Sequence, residues 1–162
     1  MSDVAPNGAR GAIGADALIE TVEGPLAIAG LVGKSMPVLT RLLDGRIGFR
    51  LMTEIRQLAS GVAVVRVVFD NDQAMVVARA HVFLGPAMVE RTAAALAPGE
   101  VLDTSYHFPP GYVFRRTDGS EETSIGAVRV AAVEDAGTAD VFGGVVRETH
   151  CYFATAGVLC RA

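Results

Sequence analysis

Residues 141–162, VFGGVVRETHCYFATAGVLCRA, bring His150, Cys151 and Cys160 into the last stretch of the chain. A terminus is ordinarily the frayed and expendable part of a domain. Two explanations fit this placement. Either the end is tied into the core and these side chains pack there, or the chemistry acts on the terminus itself.

Working outward, the 162 residues suit one domain with room for a real core. At 51% hydrophobic residues, disorder over most of the chain is excluded. The net charge of −4, with arginines spread singly through apolar runs, leaves no basic patch for nucleic acid. The run GPLAIAGLVG is about half the length of a membrane-spanning helix. The opening MSDVAPNGARG lacks the regions of a signal peptide and reads as a flank. Cytoplasmic residence is then the default, with the two cysteines as free thiols. A monomer without cofactor is expected.

The local patterns are those of strands. VAVVRVVF and QAMVVARAHVFL are rich in β-branched residues and flank DND, which predicts a hairpin. Asp70, Asn71 and Asp72 have some character of a calcium loop but are more simply a turn. Asp44-Gly45 and Asp118-Gly119 each divide two strand-like runs, as in tight hairpins with positive φ at both central residues. AMVERTAAAL, ended by Pro98-Gly99, reads as one short helix, or as a loop with a single helical turn. The order hairpin, strand, glycine turn, strand, histidine, aromatic strand occurs twice, ending at His81 and at His150. Chance similarity of β segments and a duplicated β unit both explain it.

In sequence order these pieces resemble the Hint domains, the module shared by inteins, hedgehog autoprocessing domains and bacterial intein-like domains. GADALIETVEGPLAIAGLVGKSMPVLTR resembles the first motif of that family, MVVARAHVFL the second, and ERTAAALAPGEVL the segment after it. The closing stretch resembles the final pair of motifs, and its H.YFA..GVL pattern is the most specific of the set. The resemblance implies an all-β horseshoe of two pseudo-symmetric β subdomains with one short helix. Residues 1–11 would be the flank and residues 12–162 the autoprocessing domain. It also answers the placement of the reactive end, because in this family the chain termini meet at the centre, where Gly11 and Cys160 would lie together with His81 beside Ala12.

The family's first step is an N-to-S acyl shift. A Cys attacks the preceding carbonyl and makes a thioester, which requires an activated thiol, a proton for the leaving nitrogen and donors for the oxyanion. The motif register places the nucleophile at Ala12 and the scissile carbonyl at Gly11. His81 matches the histidine of the second motif, with Ala78 where the family has Thr. His150 matches the histidine of the next-to-last motif, and Gly143 stands at that motif's Asp. Arg161 and Ala162 stand at the terminal histidine and asparagine. As written, the chain should neither form the first thioester nor splice. Ala12 is read either as a designed replacement of the nucleophile or as natural degeneracy. A route from a Cys at position 143 is excluded by Gly143 and by the absence of Trp.

Each candidate also has a structural reading. His81 and His150 can be hydrogen-bonded or surface residues, Tyr152 and Phe153 making a packing role for His150 credible. Cys151 is a weak candidate nucleophile and more simply a small core residue, and Cys160 is read as packing. His150, Cys151 and Cys160 lack a fourth ligand and a spaced Cys pair, so no metal site is assigned. His107, before Pro109-Pro110, is placed in an exposed loop. The expected function is autoprocessing with cleavage at the Gly11–Ala12 junction, the chain's own flanking segments being the partners. A degenerate Hint fold kept as a structural or interaction module is the alternative, and an unrelated β-barrel binding domain a third.

Overall fold

The computed structural model describes residues 10–105, 111, 113–115, 119–123 and 128–162. His107 and Asp118 lie outside the described residues. The first strands are β1 (Ile13–Gly14), β2 (Leu18–Thr21), β3 (Gly24–Ala27), β4 (Met36–Arg41), β5 (Ile47–Phe69), β6 (Ala74–Ala78) and β7 (Val82–Leu84). There follow β8 (Glu90–Thr92), β9 (Val101–Leu102), β10 (Val113–Arg115), β11 (Glu121–Thr123), β12 (Val128–Val146), β13 (Cys151–Phe153) and β14 (Leu159–Arg161). Among the described residues the helical segments are short 3-10 turns. The fold is all-β, as expected.

An eight-stranded sheet runs β3-β2-β4-β5-β6-β1-β12-β9, and a further pairing of β5 with β12 closes part of it on itself. A second sheet runs β13-β14-β7-β8, and β10 and β11 form a separate hairpin. The frame is the antiparallel pair β5 and β12, 23 and 19 residues long. Strands of ordinary domains are much shorter. In the sequence, glycines divide each into two apparent strands. The chain instead passes through Glu54 (φ 54°), Gly61 (φ 63°) and Gly137 (φ 78°), and the ladder shifts register several times. Such bulges bend a strand without ending it.

The hairpin predicted around DND is present, with β5 against β6 from Val64↔Ala78 to Val68↔Ala74. The DND segment is a turn. Asn71 Oδ1 accepts from the Gln73 amide (3.2 Å), and the Asp70 amide donates to the Arg129 carbonyl (3.0 Å). The Asp44-Gly45 turn differs from expectation, since only Gly45 is left-handed (φ 89°). The Gly45 amide donates to Leu42 O (2.8 Å) and the Leu42 amide to Arg46 O (2.7 Å). This is a three-residue loop with a left-handed glycine, the next commonest hairpin solution.

The segment AMVERTAAAL is not an α-helix. Pro86–Met88 is a turn in which Ala87 and Met88 are left-handed (φ 62° each), Ala93–Ala95 is a 3-10 turn, and β8 lies between them, paired to β7 through Val82↔Thr92 and Leu84↔Glu90. The alternative of a loop with one helical turn describes residues 93–95. Alanine-rich composition favours helix, but tertiary pairing overrides so weak a preference.

The closing stretch folds as β13 and β14, joined by a 3-10 turn at Thr155–Gly157. Tyr152 pairs with Cys160, and Cys160 with Phe83 of β7. Tyr152, Cys160 and Phe83 all pack into the main core, where Phe83 meets Phe69 edge-on at 6.3 Å. The alternate residues Cys151, Phe153, Leu159 and Leu84 form a second cluster. Both faces of this sheet are covered, which accounts for an unbroken apolar run in place of an alternating one.

The close packing of β12 on β5 depends on an absent side chain at Gly144. A Cβ there would fall 2.9 Å from Met52 Cγ and 3.1 Å from Ile55 Cγ1, both in buried side chains. Gly144→Val should therefore cost about 1–3 kcal/mol through overpacking. Gly30→Ala, where nothing lies within 4 Å of the new carbon, should stay within about 0.5 kcal/mol of the parent. Urea denaturation of the two variants is the measurement, and equal midpoints would contradict this packing.

Candidate functional site

Strand β1 locates the site. Ile13 pairs with Phe142 of β12 on one side and with Val77 of β6 on the other. One residue earlier, the Ala12 carbonyl accepts from the Ala78 amide (3.1 Å). Ala12 is fully buried, its methyl among Val64, Ala78 and Val141. These contacts fix Gly11 against the far end of the chain. A Cβ on Gly11 would lie 2.9 Å from the Ala162 carbonyl carbon and 3.3 Å from Arg161 O. A Cβ on Gly143 would lie 3.1 Å from the Gly11 carbonyl oxygen.

Ala162 is held in turn by its own amide, which donates to the His150 carbonyl (2.9 Å). The fold thus gathers Gly11, Ala12, Gly143 and Ala162. A cavity of about 280 Å³ opens onto this junction, lined by Gly11, Glu54, Arg56, Leu58, Gly143 and Ala162, among others. Glu54 and Arg56 were not singled out in the sequence. Both fall in the middle of β5, and their convergence on residue 11 depends on pairing across the sheet.

His81 sits one tight turn beyond Ala78. Its amide donates to Ala78 O (3.0 Å), and its carbonyl accepts from the Ala93 amide (2.7 Å). The ring is fully buried, edge-on to Phe83 at 4.7 Å between centroids. Neither ring nitrogen has a hydrogen-bond partner among the described residues. Burial pushes its pKa down to about 3, so the ring is neutral at pH 7. A neutral imidazole keeps one N–H and one lone pair, and both are here unspent.

The other candidates are placed differently. His150 is exposed, with φ 53°, and its backbone carbonyl is the group that meets Ala162. Cys151 is buried under Thr40, whose hydroxyl donates to the Cys151 carbonyl (2.7 Å) and lies 3.3 Å from its Sγ. Thr149 Oγ1 stands 2.9 Å from the same hydroxyl. Cys160 belongs to the main core on the opposite face of its hairpin. Burial raises the Cys160 thiol and the neighbouring Tyr152 phenol well above their ordinary values, so both stay protonated.

No protein-family model matches the sequence, and no curated protein matches it. Solved structures do. The chain is similar to a DnaB intein from Synechocystis sp. PCC 6803, with a TM-score of 0.70 at 14% identity, over 94% of this chain and 98% of that one. It is similar to a bacterial intein-like domain from Clostridium thermocellum, with a TM-score of 0.70 at 16% identity, over 94% and 99%. A DnaX mini intein from Spirulina platensis gives 0.68 at 17% identity, over 93% and 99%. The chain therefore has the Hint fold, and at these identities the likeness is one of fold.

Burial of His81 has a consequence for stability. Its folded pKa of about 3 lies below the unfolded value near 6.5, so between those limits the unfolded chain binds the extra proton. Acid therefore destabilises the fold, and no such penalty remains above about pH 6.5. His81→Leu should flatten the fall in stability between pH 6.5 and pH 4, by up to about 1.4 kcal/mol per pH unit. Urea titrations at several pH values measure it. Parallel pH profiles for parent and variant would show that the ring is not held neutral.

Proposed function

We propose that this chain is an intein-like autoprocessing domain whose reaction centre is the Gly11–Ala12 junction. Residues 1–11 are its flank and residues 12–162 the processing unit. The observation that carries this reading is the abutment of Gly11 on the Ala162 backbone at the centre of an intein-like fold. A domain that rearranges the peptide bonds at its own ends needs those ends together.

With a Cys at position 12, its thiolate adds to the Gly11 carbonyl carbon, and the tetrahedral species collapses with loss of the residue 12 amide nitrogen. The bond from Gly11 to nitrogen becomes a thioester, and the freed nitrogen takes up a proton. His81 is the candidate for moving that proton. The Ala78 amide, bonded to Ala12 O, and the Ala78 carbonyl, bonded to the His81 amide, hold the two residues in one network. With Ala12 the sulfur is missing and the first step has no nucleophile. Arg161 and Ala162 offer neither the histidine nor the cyclising asparagine of inteins, so cleavage before residue 12 fits this chain better than splicing. Cys151 is poorly suited to stand in, being buried under Thr40.

One observation favours the alternative of a degenerate Hint fold kept as a structural module. Position 12 is packed among Val64, Ala78 and Val141, an apolar setting that would keep a thiol protonated.

The test is Ala12→Cys with a carrier domain fused at each end, followed by gel time course. Cleavage after Gly11, accelerated by added thiol, is the expected result, since positioning alone can supply roughly 7–11 kcal/mol of such a barrier. His81→Ala in that background should slow cleavage by about 10²–10⁴-fold. His150→Ala should have a smaller effect, and the C-terminal junction should stay intact. The parent chain should keep residues 1–11 through incubation with hydroxylamine. An Ala12→Cys variant that folds, titrates as a free thiol and never cuts would leave the structural module as the better reading.

A further inference from the structure

The two ends are joined by more than backbone contact. Arg10, immediately before Gly11, pairs through Nη2 with Glu90 Oε1. Arg161, immediately before Ala162, pairs through Nη1 with Glu90 Oε2 at 3.2 Å. One carboxylate on β8 therefore holds a guanidinium from each side of the junction, one on each oxygen. A carboxylate has acceptor sites enough for both. Arg10 and Arg161 bring like charges to one place, and Glu90 between them offsets one of the two and bridges both. The neighbouring Arg91 is engaged elsewhere, 3.6 Å from Glu100.

We propose that Glu90 is a clasp that positions the two junction segments and selects a basic residue at position 10 of the flank. The selective role rests on the autoprocessing reading above; the clasp itself does not. Its placement is built into the fold. Glu90 opens β8 opposite Leu84, and the turn before it is closed by the Gly85 amide donating to Val89 O (2.8 Å). β8 lies beyond β7, whose Phe83 also pairs with Cys160, and from there the Glu90 side chain reaches both arginines. Arg10 belongs to the flank, so the pair reads an amino acid outside the processing unit. An acidic residue there would face Glu90 directly and be repelled. Glu90 touches no reacting atom and acts through the arginines, so it is a positioning residue.

The side chains of Arg10, Glu90 and Arg161 are 35%, 43% and 37% exposed. Solvent screening then limits each pair to a few-fold effect.

Two experiments separate the clasp from the reaction. The first uses the parent chain and limited trypsin. Trypsin must take the Arg10 side chain to cut the Arg10–Gly11 bond, and the clasp withholds it. Glu90→Gln should raise the rate of that cut about three- to fivefold relative to the cut after the exposed Arg147. In 1 M salt the parent should lose most of this advantage, because the screening length falls to about 3 Å. Equal cutting in parent and Glu90→Gln at low salt overturns the clasp.

The second experiment measures N-terminal cleavage in the Ala12→Cys background. Arg10→Lys should be close to the parent, Arg10→Glu about fivefold slower, and Arg10→Glu combined with Glu90→Arg restored. A structural role of Glu90 alone would give no rescue by charge exchange. Rates indifferent to residue 10 overturn the selectivity. If Ala12→Cys never cleaves, the reaction assignment and the selectivity fall together, and the protease experiment still decides the clasp.

Discussion

The insertion of β1 between β6 and β12 is the constraint on which the rest of the structure depends. Two residues, Ile13 and Gly14, carry ladder contacts to β12, and Ile13 pairs with Val77 of β6 as well. A strand so short has little stability of its own. It is held because the long pair β5 and β12 supplies a frame, and because Ile13 is fully buried in the main core. Once Ile13 is fixed, Ala12 and Gly11 have almost no freedom. Gly11 must then pass beside Ala162, since β14 is anchored independently through Cys160 to Phe83. A close approach follows that no side chain at position 11 would allow without a shift, a Cβ there lying 2.9 Å from the Ala162 carbonyl carbon.

The strands were legible in the sequence where local chemistry decides them. The β5–β6 hairpin announces itself by β-branched runs around a polar turn, and the closing hairpin by its aromatic and aliphatic residues. What was not legible depends on partners distant in sequence. Gly61 and Gly137 look like strand ends, yet they became bulges because β5 and β12 stabilise each other along their length. Residues 87–96 looked helical, but Glu90–Thr92 within them were drawn into β8 by β7. At the site, His81 and residues 11 and 12 could be pointed to from motif order. Glu54, Arg56 and Glu90 could not, because a charged residue in a strand carries no mark of what it faces.

Burial of His81 links stability to chemistry. A buried histidine whose ring nitrogens find no partner among the described residues is costly. Residues that bring such a cost without a structural return are expected at functional sites. The same burial that withholds water keeps the ring neutral, so its free N–H and lone pair are available only to a group admitted to the interior. Phe83 closes one side of it. In the reaction proposed above, such a group would handle one proton during one event without exchanging freely with solvent.

Gly143 marks the chemical limit of this junction. Its α-carbon faces the Gly11 carbonyl oxygen, and a Cβ there would come within 3.1 Å of that oxygen and 2.7 Å of Leu58 Cδ1. Any side chain at this position would be poised directly over the carbonyl that the proposed reaction attacks. Glycine puts no carboxylate or thiol at this position, and leaves room for Leu58. Glu54 and Arg56 line the same cavity, so its charged side chains come from β5 and not from position 143. With no side chain at position 143, the proposed reaction relies on ends held in contact and on His81 for the proton. In that reaction residue 12 and His81 set the rate, and the hold of Glu90 on both arginines adjusts it only a few-fold.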